Sequence, residues 1–176
     1  MNRIFLALVL SFSLSAGILS SHANELATIS NHRFDRVEIA YAHDECSFQY
    51  SPIDFCDERH VSEIKKAINQ STANFNGHYI LLKIQEWKPS EYYGNSLVAI
   101  DTLTGIVYPL PLDYYTGEVN MKNARMVKKP KLKFSLKSSE VCIDGSILAY
   151  HATINGRFCF DFDGEKFTGS QTEYMH

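Results

Sequence analysis

The chain has 176 residues, of which 45% are hydrophobic and 21% charged, with a formal net charge of −3 at pH 7. That length suits one domain with one buried core. No apolar run beyond residue 23 reaches the roughly 18 residues needed to cross a bilayer, so the chain is not expected to be an integral membrane protein.

Residues 1–23 read as a secretory signal peptide. Met1, Asn2 and Arg3 precede an apolar run from Ile4 to Leu19, and Ser21, His22 and Ala23 supply small residues at the third and first positions before a cut. Cleavage after Ala23 leaves residues 24–176 as a single β-rich domain. No cysteine stands immediately after the cut, which argues against a lipid anchor. The address implied is the periplasm, with secretion as the second choice.

Residues 24–56 are irregular apart from a candidate strand at 36–41, where Val37, Ile39 and Tyr41 alternate with polar or small neighbours. Cys46, Cys56, Cys142 and Cys159 make an even set, which in an exported chain points to disulfides. Three pairings are possible. Cys46 and Cys56 are close in sequence and flank Pro52, so their loop closes without moving anything else, and by elimination Cys142 pairs with Cys159. A four-sulfur zinc site is the competing reading, but no Cys-x-x-Cys spacing supports it.

Asp57 is placed to cap a helix running from Glu58 to about Gln70, with Val61, Ile64, Ala67 and Ile68 forming an apolar stripe. After Asn76-Gly77 the period changes from 3.6 to 2. Ile80, Leu82 and Ile84 alternate with Leu81, Lys83 and Gln85 up to Trp87. Two further strands, 97–101 and 106–110, flank a turn opened by Asp101 and closed by Gly105. Pro109 and Pro111 cannot donate to a ladder, so the second of these ends there or lies at an edge.

The small net charge conceals a segregation. Residues 24–118 carry 14 acids and 7 bases, whereas residues 119–137 carry Lys122, Arg125, Lys128, Lys129, Lys131, Lys133 and Lys137 with no acid among them. Such a block is either a solvated face or a landing surface for an acidic partner. Nucleic acid is not the expected partner, because Phe134 is the only aromatic residue there that could stack on a base. Residues 131–137 alternate as a strand, with Leu132, Phe134 and Leu136 expected inward and Lys131, Lys133, Ser135 and Lys137 outward.

Apolar strand stretches follow at 141–143, 147–154, 157–162 and 165–168, separated by Asp144-Gly145, Asn155-Gly156 and Asp163-Gly164. Tight turns at the first two pairs would put Cys142 and Cys159 too far apart to bond. Keeping the disulfide requires 144–156 to be a longer excursion, with the two cysteines on neighbouring antiparallel strands. The architecture expected is mainly β, bordering on α+β: a curled antiparallel sheet of six to eight strands with one N-terminal helix and two disulfides.

Three segments, Asn74-Phe75-Asn76-Gly77-His78-Tyr79, Val98-Ala99-Ile100-Asp101 and Thr104-Gly105-Ile106-Val107-Tyr108-Pro109, carry a resemblance. With Phe162-Asp163-Gly164-Glu165-Lys166-Phe167, they make the chain resemble a group of small exported bacterial domains of unassigned function. The resemblance covers about half of residues 24–176 and implies a fold rather than an activity. Members of that group often carry a cysteine-bearing segment after the first strand. Here residues 87–94 take its place without one.

Chemistry is sparse in the motifs. There is no Gly-x-Ser-x-Gly elbow, phosphate-binding glycine loop or His-Glu-x-x-His pair, and no cofactor is expected. His43, Asp44 and Glu45 with Asp54, Asp57, Glu58 and His60 make the one cluster suited to a divalent metal or to hydrolysis, against the reading of a solvated acidic loop. His78 and His151 are read first as structural or surface residues. Tyr92, Tyr93, Tyr114 and Tyr115 lie beside glycines and prolines in expected loops, where tyrosine serves protein recognition.

These features together point to a non-enzymatic periplasmic domain that binds a protein through Tyr92, Tyr93, Tyr114, Tyr115, Lys128, Lys129, Lys131 and Lys133. An immunity or inhibitor protein acting on a toxin or on a peptidoglycan-directed enzyme is the kind expected. The alternatives are an envelope enzyme or metal-binding protein centred on His43, Asp44, Glu45 and His60, and a structural envelope protein binding anionic glycan or lipid.

Overall fold

The computed structural model describes residues 46–48, 51–86, 94–123, 125–149 and 152–170. The signal peptide, the candidate strand at 36–41, His43, Asp44, Glu45, Trp87, Tyr92, Tyr93 and His151 lie outside the described residues.

Helix α1, Glu58–Gln70, begins where expected because the Asp57 carboxylate accepts the His60 amide at 2.7 Å, satisfying one of the orphan donors of the first turn. It buries His60, Ile64 and Ala67. Among the described residues ten strands follow: β1 (Tyr79–Gln85), β2 (Asn95–Asp101), β3 (Val107–Pro109), β4 (Tyr114–Thr116), β5 (Glu118–Asn120), β6 (Arg125–Lys128), β7 (Lys131–Lys133), β8 (Glu140–Ala149), β9 (Ala152–Phe162) and β10 (Phe167–Gly169). Eight of them form an open antiparallel sheet along β1-β2-β4-β8-β9-β10, with β3 on β2 and β7 on β8, while β5 and β6 pair separately.

Strands β1 and β2 are apolar on both faces, so the sheet there is covered on both sides. Ile80, Ile84, Val98 and Ile100 pack under α1 and the loop bearing Phe48, Ile53 and Phe55. Tyr79, Leu81, Leu97 and Ala99 face a second core formed with Tyr115, Ile143, Phe160 and Phe162. The turn between β2 and β3 is built by Asp101, whose carboxylate accepts the Leu103 amide at 2.8 Å, and by Gly105 at φ 80°. Pro109 falls on β3, which pairs only with β2 among the described strands, in keeping with an edge position for proline.

Both cysteine pairs are at bonding distance, with Cα separations of 5.6 Å for Cys46–Cys56 and 4.1 Å for Cys142–Cys159. Cys142 and Cys159 stand directly opposite on β8 and β9, and the Cys159 amide points away from β8 to Ser170 Oγ at 2.8 Å. This is the non-hydrogen-bonded kind of cross-strand pair, which brings Cα atoms closest.

The excursion expected between the two cysteines is the rest of one long antiparallel pair, whose ladder runs on to Ala149 opposite Ala152. Asp144-Gly145 and Asn155-Gly156 are therefore not turns. They lie within the strands, with Gly145 opposite Gly156. Gly145 is required by a close approach: a Cβ there would sit 2.3 Å from the Thr116 carbonyl oxygen.

The strand expected at 131–137 stops at Lys133. Beyond it the chain turns: Ser138 N–H donates to Ser135 O at 3.2 Å, while Ser135 O and Leu136 O also accept the Asn76 and Gly77 amides at 3.3 and 2.7 Å. Phe134 and Leu136, expected inside, are consequently 37% and 45% exposed.

Candidate functional site

Strands β4 and β7 lie end to end along the same edge of β8, pairing with residues 146–148 and 142–144 respectively. The chain between them, 117–130, leaves the sheet as an arm, the β5–β6 hairpin. Its root is pinned. Val119 is buried, its N–H donates to Ser146 Oγ (3.1 Å) and Asn155 Oδ1 (3.2 Å), and its carbonyl accepts Asn155 Nδ2 at 2.7 Å. Ser146 Oγ, fully buried, donates to Gly117 O at 2.9 Å and also contacts Asn155 Oδ1.

Beyond that root the arm is exposed. All four residues of β6 are exposed, with Met126 at 54% and Val127 at 61%, and Met121 in the turn reaches 63%. Lys122, Arg125, Lys128 and Lys129 are exposed among them, and Lys131 and Lys133 continue the basic surface on β7. Five of the seven large hydrophobic residues exposed among those described, Met121, Met126, Val127, Phe134 and Leu136, fall in this acid-free stretch. Water is a poor partner for the apolar side chains of this stretch, and an exposed apolar patch rimmed by charged residues is the usual make-up of a contact surface.

The tyrosines require correction. Tyr114 and Tyr115 are not loop residues. They form β4 and are buried at 8% and 2% exposure. The Tyr114 ring lies over Gly94, where a Cβ would be 2.1 Å from Tyr114 Cδ2, and Tyr115 stands opposite Ile147 in the core. Burial pushes the Tyr115 hydroxyl up to about 12. Neither side chain is offered to a partner. Of the residues expected to make contact, the structure leaves Lys128, Lys129, Lys131 and Lys133 exposed on one surface, and the sequence reading missed Met121, Met126 and Val127 beside them.

A second polar feature joins α1 to the sheet. Glu86, just past β1 and buried, accepts from Arg59 Nη2 at 2.6 Å, His60 Nε2 at 3.1 Å and Ser96 Oγ, while His60 Nδ1 lies 2.9 Å from Asp57 Oδ1. Burial alone would lower the His60 pKa, but the Glu86 and Asp57 carboxylates outweigh it and hold the imidazole above 6.5. Burial would raise Glu86, yet the bonds from His60, Ser96 and Arg59 hold it below 4.5. With both ring nitrogens facing carboxylates and 1% exposure, His60 is not available to a metal centre with His43, Asp44 and Glu45. Ser96 is fully buried and its hydroxyl is committed to Glu86, so this constellation fastens α1 rather than presenting a nucleophile.

Asp54 lies beside the Cys46–Cys56 bridge and Glu140 beside Cys142–Cys159, but sulfurs bonded to each other are not thiolate ligands. His78 Nε2 is 3.3 Å from Asp101 Oδ1, a partly exposed contact at the start of β1.

No protein family, curated protein or solved structure matches this chain. Between the arm root and the β8–β9 pair lies a cleft of about 450 Å³, lined by Glu118, Lys128, Asp144, Gly145, Asn155, Gly156 and Arg157. Asp144 is flanked by Lys133 (3.4 Å) and Arg157 (3.8 Å), and Glu118 stands opposite Lys128 in the register. Each acid of the cleft thus has a base beside it, and the neighbouring Lys129 and Lys131 leave the surroundings positive.

Proposed function

We propose that this chain is a non-enzymatic protein-binding domain whose contact surface is the β5–β6 arm with its Lys128–Lys133 continuation, and whose partner presents an acidic surface. One observation carries the reading: the exposed apolar side chains concentrate in the stretch that carries seven basic residues and no acid. Apolar contact supplies affinity, and the uniform positive charge speeds encounter with an acidic partner.

Two disulfides brace the scaffold on either side of the arm in sequence, and a braced scaffold loses little conformational freedom on association. Disulfides also fit an oxidising compartment, and among the described residues no helix is long and apolar enough to cross a membrane. With the signal-peptide reading of residues 1–23, these features support a periplasmic immunity or inhibitor protein that blocks a toxin or a cell-wall-directed enzyme by inserting the arm.

The test is capture from envelope extract by residues 24–176, comparing the natural sequence with Met126→Asp/Val127→Asp and Lys128→Glu/Lys129→Glu. A protein retained by the first and lost by both variants is the expected result. Recovery of no protein at low and moderate salt overturns the reading. Sedimentation of the domain with sacculi or anionic vesicles instead would assign the surface to glycan or lipid.

A further inference from the structure

Edges of a β-sheet present unpaired backbone groups, and native proteins usually cover or shorten them. Most of this sheet follows that rule. The outer edge of β1 is bonded to the chain just before it. Tyr79 N–H donates to Phe75 O at 3.0 Å, and the Asn74 carboxamide stands in for a neighbouring strand by accepting the Leu81 amide at 2.7 Å. Arg59 Nη1 then closes on Gln85 O at 2.8 Å. At the other end, β10 has three residues.

The exception is β9. Phe162 N–H faces β8, donating to Ser139 O, whereas Cys159 N–H faces the opposite way, toward Ser170. By the period of two, with no register shift in the β8–β9 ladder, the backbone groups of Thr153, Asn155 and Arg157 also point away from β8. Strand β10 covers only residues 160–162, and Ser170 covers Cys159. Among the described residues nothing bonds the outward groups of 153, 155 and 157, and Ile154, Asn155, Gly156 and Arg157 are all exposed.

We infer that residues 153–157 of β9 receive an extended acidic segment of the protein partner as an added strand. The inference rests on the protein-binding reading above and names how the partner is held. Main-chain bonds to β9 would supply the pairing, with Ile154 and the adjacent cleft receiving alternate side chains. Charge decides the occupant. Arg157, with its side chain 57% exposed, lies on the edge itself, and Lys128 lines the adjacent cleft with it. Asp144 and Glu118 each already stand beside a base. An acidic strand is therefore favoured over a second copy of this chain, which would bring its own Arg157 to the same edge.

The experiment is amide hydrogen exchange by NMR on residues 24–176, titrated with a short synthetic peptide of alternating glutamate and valine. In the free domain the amides of Thr153, Asn155 and Arg157 should exchange as open amides, while those of Ile154 and Phe158, bonded to β8, are protected. Peptide should protect the three outward amides, and the same peptide with lysine for glutamate should not. Thr153→Pro removes an outward donor without touching the β8 ladder, and should weaken peptide binding about tenfold. Retained protection at Ile154 and Phe158 verifies that this variant is folded.

Protection of the three outward amides in the dilute free domain, or protection that grows with protein concentration alone, overturns the inference. So does binding by Thr153→Pro as tight as that of the natural sequence. The two readings separate by capture from envelope extract. A partner lost by Met126→Asp/Val127→Asp but kept by Thr153→Pro leaves the arm standing and removes the edge. A partner kept by the arm variant removes the arm.

Discussion

Nε2 of His60 on α1 lies 3.1 Å from Oε1 of Glu86 at the end of β1, and the two are 1% and 5% exposed. Helix and sheet are thus joined by a charge pair in a nearly dry interface, completed by Asp57 on one side of the imidazole, Arg59 and Ser96 on the carboxylate, and Phe55 against the ring at 5.3 Å between centroids. The pair's contribution depends on pH from both sides. The His60 pKa is raised on folding, so its share of stability is complete below about 6.5 and lost as the pH climbs through the folded value. Glu86 and Asp57 are lowered, so theirs is complete above about 4.5 and lost as the pH falls through their folded values. Thermal unfolding should therefore show its highest midpoint between about pH 4.5 and 6.5. Glu86→Gln should cost about 3 kcal/mol and abolish the alkaline limb of the profile. A pH profile unchanged by Glu86→Gln would show that other groups govern it.

Each disulfide is expected to contribute through the loop it closes, 10 residues of separation for Cys46–Cys56 and 17 for Cys142–Cys159. Loop entropy makes both worth about 3 kcal/mol and the longer one only slightly more. Their local consequences differ. Cys46→Ser/Cys56→Ser frees the segment whose Phe48, Ile53 and Phe55 cover the helix side of the sheet, whereas Cys142→Ser/Cys159→Ser leaves a ten-pair ladder in place. Denaturant midpoints should fall in both variants, with amide exchange accelerating in α1 only for the first.

Glycines 145 and 156 face one another, yet alanine is expected to act differently at the two positions. At Gly145 the new methyl group would lie 2.3 Å from the Thr116 carbonyl oxygen, a backbone atom that can yield only by pushing β4 and the arm root away from β8. At Gly156 it would meet the edge of the Phe158 ring at 3.2 Å, which a small ring movement relieves. Gly145→Ala should cost about 3 kcal/mol and Gly156→Ala less than about 1 kcal/mol, measured by equilibrium denaturation. Equal losses would mean that Thr116 does not press on β8 as described.

How much of this was legible in the residues depended on whether the signal was local. Asp57 before an apolar stripe located α1, and Asp101 with Gly105 located a turn, because capping and positive φ act within a few residues. The pairs Asp144-Gly145 and Asn155-Gly156 carry the same turn chemistry, but the cross-strand cysteines and the passage of Thr116 over Gly145 override it. Tyr114 and Tyr115 read as loop residues from their glycine and proline neighbours, although Gly94 is small because the Tyr114 ring rests on it. His60 had a usable signal. It precedes Ile64 by four, on the buried stripe, and Glu86 and Ser96 fall on the alternating positions that face α1. The arm's exposed methionines gave no such warning, since the sequence does not reveal that a hairpin leaves the sheet between β4 and β7.

The arm should behave as a rigidly rooted but energetically idle element in the free domain. Val119 is held by its buried side chain and by bonds to Ser146 and Asn155, whereas Met126 and Val127 are 54% and 61% exposed, Met126 resting over Gly117 at the root. Val119→Ala should therefore destabilise the domain by about 2 kcal/mol, and Met126→Asp/Val127→Asp should leave stability within about 0.5 kcal/mol of the natural sequence. If the exposed pair instead packs against the sheet, the aspartate variant will lose stability comparable to Val119→Ala. The same variants separate folding from recognition. Lys128→Glu/Lys129→Glu is expected to slow association with an acidic partner about tenfold at low ionic strength, an effect that shrinks as salt shortens the screening length to about 8 Å near physiological strength. The aspartate pair should act mainly on the dissociation rate, since it removes apolar contact rather than attraction at a distance. A charge reversal that leaves the association rate unchanged at every salt concentration would remove electrostatic steering from the account of this surface.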